Sequence, residues 1–352
     1  MRISLFIAVL FTCLCSFAQP LTKANFTKLK RSEDTLKVYA GSMIRDMSAS
    51  KRFEADSSFI RNLVRTLRTP HSFYYPFDSL ETVSRIYAPD SAFRIFSWQF
   101  TRDENSYRQR GAIQMRTEDG SLKLYPLIDM SDFTAAPQDS VRTPQNWVGS
   151  IYYGIIMKTH NNKPYYTLLG YDDNNMRSTK KWIEVLSFDD AGRPVFGGPY
   201  FSIKADSLKP AKLFTRFNIE YKKVGRARMN YDQEMDMIIF DHLISEDNQP
   251  DKPFTMVPDG DYEGFKWADG RWVHVDKVFD FKLKDGEAPM PDPLKDTDGK
   301  ANEEKLWLIS EKNMEKSKPP VKAAAPKTAV PKKDLPKKTV KKKEQPDEQE
   351  EH

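Results

Sequence analysis

Between residues 83 and 279 apolar side chains recur at every second position, and this spacing constrains the fold more than any other feature of the chain. The clearest run is 211–221. There Ala211, Leu213, Thr215, Phe217, Ile219 and Tyr221 alternate with Lys212, Phe214, Arg216, Asn218 and Glu220. Neighbouring side chains on a strand point to opposite faces, so such a run predicts a strand with one buried and one mostly wet face. Phe93 to Phe100 reads the same way. Hairpin signals fall at Glu118-Asp119-Gly120, Asn161-Asn162-Lys163, Asp189-Asp190-Ala191-Gly192 and Asp269-Gly270. The spacing accommodates roughly a dozen strands, and few connections are long enough for the crossover helix that parallel pairing needs.

The expected class is therefore α+β with a large antiparallel β-rich domain. A sandwich, a closed meander and a propeller-like arrangement all satisfy the pattern. Ala88-Pro89-Asp90-Ser91-Ala92 resembles a propeller blade turn, but no second copy recurs at the ~40–50-residue period of a propeller. An outer-membrane barrel fits poorly, because both faces of the candidate strands carry charge.

Before this domain the period changes. Leu36, Tyr39, Ala40, Met43 and Met47 recur at helical spacing after Ser32, Glu33 and Asp34. A second helix is expected from an Asp56 cap through Phe59, Ile60, Leu63, Val64 and Leu67. It ends at Thr69-Pro70, since a residue before proline is pushed out of the α region. Arg61, Arg65 and Arg68 share its opposite face, which reads as solvated.

The two ends of the chain are different again. MRISLFIAVLFTCLCSFA reads as an export signal. Arg2 supplies the positive charge, Leu5 to Leu14 the apolar stretch and Ser16-Phe17-Ala18 the cleavage site. That stretch falls well short of the ~20 residues of a membrane helix. Both cysteines, Cys13 and Cys15, lie inside it. The rest of the chain thus has no disulfide, thiol nucleophile or thiolate metal site, and neither cysteine has the small residue before it that lipidation needs. The remainder is expected in the bacterial periplasm or medium, soluble or peripherally attached.

The other end, 316–352, carries eleven lysines against six acids and accounts for the whole formal charge of +5. The body between the ends gives no overall electrostatic signal for nucleic acid or membrane. The expected boundaries are a signal at 1–18, a helical region at 19–80, the β-rich domain at 81–280, a linker with Leu306-Trp307-Leu308-Ile309 at 281–315, and a disordered Lys/Pro tail at 316–352.

Prolines keep the tail extended, and Lys332, Lys333, Lys337, Lys338, Lys341, Lys342 and Lys343 suit a polyanion held by counterion release. Outside a cell that anion is an acidic envelope polymer or lipid headgroups. No aromatic residue interleaves the lysines, so base stacking and specific nucleic-acid recognition are not expected. A solubilising spacer is the plainer reading of the same segment.

Catalytic signatures are scarce. His71, His160, His242 and His274 sit in no HExxH or HxH pattern. Asp241-His242 lies at a strand end, where side chains of neighbours diverge. His274 alternates with Trp272 and Asp276 and reads as a sheet-surface histidine. Acids at 172–175, 259–261 and 296–299 are explained by turn chemistry. An EF-hand read through 294–305 fails, because Leu294 and Lys305 occupy positions that need acids. No serine elbow or SxxK motif is present, and Gly197-Gly198 reads as a bend between strands. No cofactor motif appears. Trp267 and Trp272 flank Asp269-Gly270, with Tyr262 nearby. Aromatic side chains so placed stack on sugar rings when exposed, or pack across strands when not.

The stretch YTLLGYDDNNMRSTKKWIEVLSFDDAGRPVFGGPYF (166–201), with FDHL (240–243) and YEGFKWADGRWVHVD (262–276), resembles a group of exported bacterial proteins of unknown function over roughly residues 90–280. The resemblance implies a recurring exported β-rich module and brings no catalytic residues. The expected function is a non-enzymatic binding or structural module of the envelope or medium, with a protein or glycan partner. The alternative is a hydrolase of envelope or extracellular glycans, using carboxylates that the fold brings together.

Overall fold

The computed structural model describes residues 21–103, 105–203 and 212–279. The expected signal, the linker with its apolar patch and the lysine-rich tail lie outside them.

Two helices come first, α1 (Lys23–Arg45) and α2 (Ala49–Leu67). Four strands follow, β1 (Ser84–Tyr87), β2 (Phe93–Thr101), β3 (Tyr107–Met115) and β4 (Lys123–Ile128), paired in that order. Next are β5 (Ile151–His160), β6 (Lys163–Asp172), β7 (Ser178–Phe188), β8 (Pro194–Phe196), β9 (Phe201–Ile203), β10 (Lys212–Phe214) and β11 (Arg216–Lys222). The last are β12 (Met229–Asp232), β13 (Met237–Ser245), β14 (Met256–Ala268) and β15 (Arg271–Val275). One sheet has the order β11-β7-β6-β5, with β8 on β7. Another has the order β10-β9-β15-β14-β13-β12. Every named pairing is antiparallel except β15 with β9. The body is thus mostly antiparallel and sandwich-like, behind two helices.

Three apolar cores lie in series. Leu36, Met43, Phe59 and Leu63 of the helices pack on Phe96, Trp98 and Phe100 of β2. The other face of β2 meets the β5–β8 strands through Phe93, Ile95, Ile113, Tyr166, Leu168 and Leu186. The far face of those strands meets the third sheet through Leu169, Ile183, Val185, Phe240, Phe265 and Trp272. The middle of the β11-β7-β6-β5 sheet is therefore buried on both faces. Its strands show it, since Tyr166–Gly170 and Trp182–Leu186 are buried without a break.

The helix starts differ from expectation. α1 begins where the Thr22 side chain accepts from Asn25 N at 3.2 Å, well before Ser32. Glu33 is mid-helix and buried. It accepts hydrogen bonds from Tyr75 Oη and from Ser79 N at 2.7 Å. Met47 falls beyond the Asp46 cap and is 95% exposed. α2 starts at Ala49, so Asp56 is no cap. Its buried carboxylate accepts from Trp98 Nε1 at 3.1 Å and pairs with Arg110 Nε at 3.0 Å. α2 does stop before Thr69-Pro70.

The run 211–221 also departs from a single strand. β10 pairs with β9 and β11 pairs with β7, so the chain changes sheets at Thr215. Thr215 N donates to Gln138 O at 2.8 Å, outside both ladders. The alternation breaks at this corner, since Leu213 is 49% exposed, Phe214 packs on the core, and Arg216, expected on the wet face, is 1% exposed. Asn161 and Asn162 take left-handed φ values of 49° and 59° and close a two-residue hairpin, as the sequence predicts.

Two arginines, Arg94 and Arg216, are fully buried. Arg94 lies among Phe73, Phe77, Tyr87 and Phe96, its Cζ 4.6–5.7 Å from the ring centroids. It donates to Ser72 O, Tyr75 O, Tyr87 Oη and Gln114 Oε1. Among the described residues no carboxylate faces it in an ion pair, and burial pulls its guanidinium down to about 10. Arg216 instead pairs with Glu184 at 3.1 Å, with side chains 1% and 2% exposed. Glu184 also accepts from Tyr152 Oη, which in turn accepts from Trp147 Nε1 at 2.6 Å. Burial, and then Glu184, push the Tyr152 phenol well above its ordinary range. Arg216 holds the segment between β4 and β5 by donating to Pro137 O and to Ser140 O at 2.9 Å.

Removing one partner leaves the other charge buried and unpaired. Arg216→Met is expected to cost about 3–5 kcal/mol. Glu184→Leu with Arg216→Met is expected to cost less than Arg216→Met alone. Urea unfolding midpoints of the three chains check the order.

Candidate functional site

The strand ends nearest the β5–β6 hairpin hold the arrangement best suited to a ligand. A cleft of about 370 Å³ opens there, lined by Lys163, Pro164, Tyr165, Ser187, Phe188, Asp189, Asp190 and Tyr200. Three local features build it. The Asn161-Asn162 turn delivers Lys163 and Tyr165 to the end of β6. The turn after β7 is shaped by Asp189, whose carboxylate accepts from Ala191 N, Arg193 N and Arg193 Nε at 2.7–3.0 Å. The Arg193 amide first, and then its guanidinium, hold this carboxyl below its ordinary value, against desolvation. Finally, a Cβ at Gly198 would come within 2.3 Å of the Tyr200 ring, so only glycine at φ 150° lets that ring lie where it does.

The rings continue inward as a row. Tyr200 meets Tyr165 edge-on at 5.3 Å, Tyr165 meets Trp267 at 6.1 Å, and Trp267 meets Trp272 at 5.3 Å. Tyr165, Tyr200 and Trp267 are half-buried, and Trp272 is fully buried. Burial foremost, then Tyr165, raises the Tyr200 phenol above its ordinary value, and a hydrogen bond with Ser187 opposes this. Apolar ring faces beside Asp190, Ser187 and Lys163 can stack on a sugar ring while bonding its hydroxyls.

The aromatic residues singled out in the sequence are separated by the structure. Trp272 has no surface for a sugar. It is 0% exposed, and its Nε1 donates to Thr167 Oγ1 at 2.8 Å. Trp267 joins the row described above. Tyr262 lies on the opposite face of β14 from Trp267 by strand alternation and packs against Phe279 at 5.6 Å. Tyr165 and Tyr200 were not singled out. Their partner rings are far away in sequence, and nothing in the local pattern marks them. The tail lysines from Lys332 to Lys343 lie outside the described residues.

The histidines are placed as follows. Asp241 and His242 diverge, Asp241 accepting from Arg228 N at 2.6 Å and His242 Nδ1 facing Asp259 at 2.8 Å. His274 is not a surface residue. Its side chain is 8% exposed, 2.6 Å from Glu263 and 3.0 Å from Asp276, with Phe265 packed at 5.2 Å. His242 Nε2 also faces Glu263 at 3.7 Å. Carboxylate and imidazole thus alternate from Asp259 through His242, Glu263 and His274 to Asp276. Among the described residues neither ring is hydrogen-bonded to a hydroxyl, so they form no nucleophile–base pair there. Among the described residues no group of three or more His, Cys, Asp or Glu is placed to hold a metal ion.

The acids at 172–175 serve the fold. Asp172 is 8% exposed and accepts from Gln109 Nε2 and, at 2.8 Å, from Asn174 N. Asp173 pairs with Lys223 at 2.7 Å and accepts from Tyr171 Oη. Neither a family model nor a curated protein nor a solved structure matches this chain.

Burial foremost pushes the Asp172 carboxyl up to about 6, and hydrogen bonding by Asn174 opposes it. The folded state therefore keeps a proton that the unfolded chain has already lost. Between about pH 4 and 6 this group makes stability fall as pH rises, and above pH 6 its cost is complete. Asp172→Asn is expected to stabilise the protein at pH 7 by about 2–3 kcal/mol and to be near neutral at pH 4. Denaturant unfolding of both chains at the two pH values checks this.

Proposed function

We propose that this chain is an exported bacterial binding module of the envelope or medium, without catalysis of its own, whose folded body holds a glycan in the cleft of Tyr165 and Tyr200. The observation that carries the reading is that cleft, where half-buried rings border an open volume of about 370 Å³ with Lys163, Ser187 and Asp190 at its edge. Sugars need that combination, because their C–H faces stack on rings while their hydroxyls take hydrogen bonds. The resemblance to exported bacterial proteins belongs to the same reading, as does the export signal.

The cleft supports binding over hydrolysis. Glycoside cleavage needs two carboxyl groups set across the scissile bond, about 5–10 Å apart. The two acids of this cleft are neighbours on one turn, and Asp189 is already engaged by Arg193.

Full-length protein is expected to be retained by at least one of chitin, cellulose, alginate and peptidoglycan. Tyr165→Ala should weaken that binding by about tenfold or more, the scale of one lost stacking contact. Asp190→Asn, at the cleft edge, should weaken it with little change in thermal stability. Retention by none of the four, or retention indifferent to both substitutions, overturns the glycan reading.

The lysine tail extends the proposal to an anionic envelope surface. Removing 316–352 is expected to abolish binding to phosphatidylglycerol vesicles, and the intact chain should lose that binding steeply as salt rises. Salt-independent binding that survives the deletion removes the tail from the account.

A further inference from the structure

The body gives no overall electrostatic signal because two opposite charges cancel. Residues 21–70, which hold both helices, carry eleven Lys and Arg against five Asp and Glu, a net +6. Residues 225–279, which hold β12 to β15, carry six against twelve, a net −6. The helices pack on one face of β2, and the third sheet lies beyond the strands that cover its other face. The two charges therefore sit at opposite ends of the body.

Within the helices the positive charge gathers at one end. α1 and α2 form a hairpin through residues 46–48, and Asn25 Nδ2 donates to Pro70 O at 3.3 Å, so the start of α1 lies beside the finish of α2. There α1 presents Lys23, Lys28, Lys30 and Arg31, and α2 presents Arg61, Arg65 and Arg68. All seven are exposed, and residues 21–31 and 61–70 contain no acid. Among the described residues none of the seven takes part in an ion pair. Asp34 and, across His71, the β3–β4 turn with Glu118 and Asp119 border the patch. At the other end of the hairpin Lys37, Arg45 and Lys51 are balanced by Asp34, Asp46 and Glu54.

This crowding works against the helices. Arg61 and Arg65, Arg65 and Arg68, and Lys28 and Arg31 stand three or four positions apart, where like charges repel. The dipole of α2 suits Arg65 and Arg68 near its C-terminal end, but α1 has no acid in its first turn and carries Lys23 there, against its dipole. A partner with several negative charges relieves both effects. The stripe of Arg61, Arg65 and Arg68 is about 10 Å long, beside a second row on α1 at the usual helix spacing of about 8–10 Å. A small anion reaches only part of such a surface.

We propose that this end of the hairpin binds an acidic polysaccharide, one narrow chain lying between the two rows of cations. Guanidinium forks match its carboxylates, and release of its counterions drives binding. Duplex DNA fits less well, because a stiff convex rod meets two helix ridges along one line. The polymer repels the acidic third sheet, so the protein approaches it helices first. The site is separate from the aromatic cleft and from the tail, and only the choice of a polysaccharide as the polymer rests on the export reading.

The test titrates the full chain with polygalacturonate, a linear polyuronate, and with dextran, an uncharged polysaccharide. Polygalacturonate is expected to bind, less tightly as salt rises, and dextran is not. Arg61→Gln, Arg65→Gln and Arg68→Gln together should weaken binding about tenfold or more and flatten its salt dependence, at about the native thermal midpoint. Lys37→Gln, Arg45→Gln and Lys51→Gln together remove as much charge at the balanced end and should change binding less than about threefold. The proposal is overturned if polygalacturonate is not bound, if dextran is bound as tightly, or if the balanced-end variant loses as much as the arginine variant. Two further results reassign the surface and overturn the polysaccharide. One is duplex DNA bound about tenfold more tightly than polygalacturonate at equal charge. The other is an arginine variant that keeps polygalacturonate and loses phosphatidylglycerol vesicles.

Discussion

The structure depends on one sheet whose middle has no wet face. The middles of strands β5, β6 and β7 are covered on one side by the first sheet and on the other by the third. Every polar group on their buried stretches must find a partner within the protein, because water does not reach it. Thr167 meets the Trp272 indole, Glu184 meets Arg216 and Tyr152, and Asp172 meets Gln109 and Asn174. These bonds also join elements far apart in sequence, so the sheet that is hardest to bury sets the places of its neighbours.

The same requirement explains why clefts form at its margins. Where the cover ends, side chains built to be buried reach an edge. Near the β5–β6 hairpin this leaves Tyr165 and Tyr200 half-buried beside polar groups. Beneath the segment between β4 and β5 it leaves Trp182 lining a second cleft, its indole N–H without a partner among the described residues. The alternating acid–imidazole series from Asp259 to Asp276 lies instead on the third sheet. It is closed on itself by carboxylates and joins β13, β14 and β15.

Parts of this were legible from residue spacing. Alternation marked Phe93–Phe100 as a strand, and Asn161-Asn162 and Asp269-Gly270 marked hairpins whose residues do take left-handed angles. Turn and strand chemistry act over a few residues, so a short window carries them. The helix starts were less legible. A mid-helix acid such as Glu33 or Asp56 looks like a cap until its buried partner, Tyr75 or Trp98, is known. The run 211–221 shows the limit of periodicity. The change of sheet at Thr215 leaves Leu213 exposed and Arg216 buried, against the alternation, because different sheets pack on the two halves of the run.

By itself the sequence determined that the body is β-rich and mostly antiparallel behind helices, because the apolar period is a local property of the chain. It also determined that beyond its first residues the chain has no thiol chemistry, since both cysteines lie at positions 13 and 15. Only the tertiary structure decided which aromatic rings reach an open cleft. Trp272 and Trp267 stand directly opposite each other in one ladder, yet one is sealed in the core and the other joins a row with Tyr165 and Tyr200. Exposure is set by what packs on top of a residue, and here that cover comes from strands distant in the chain.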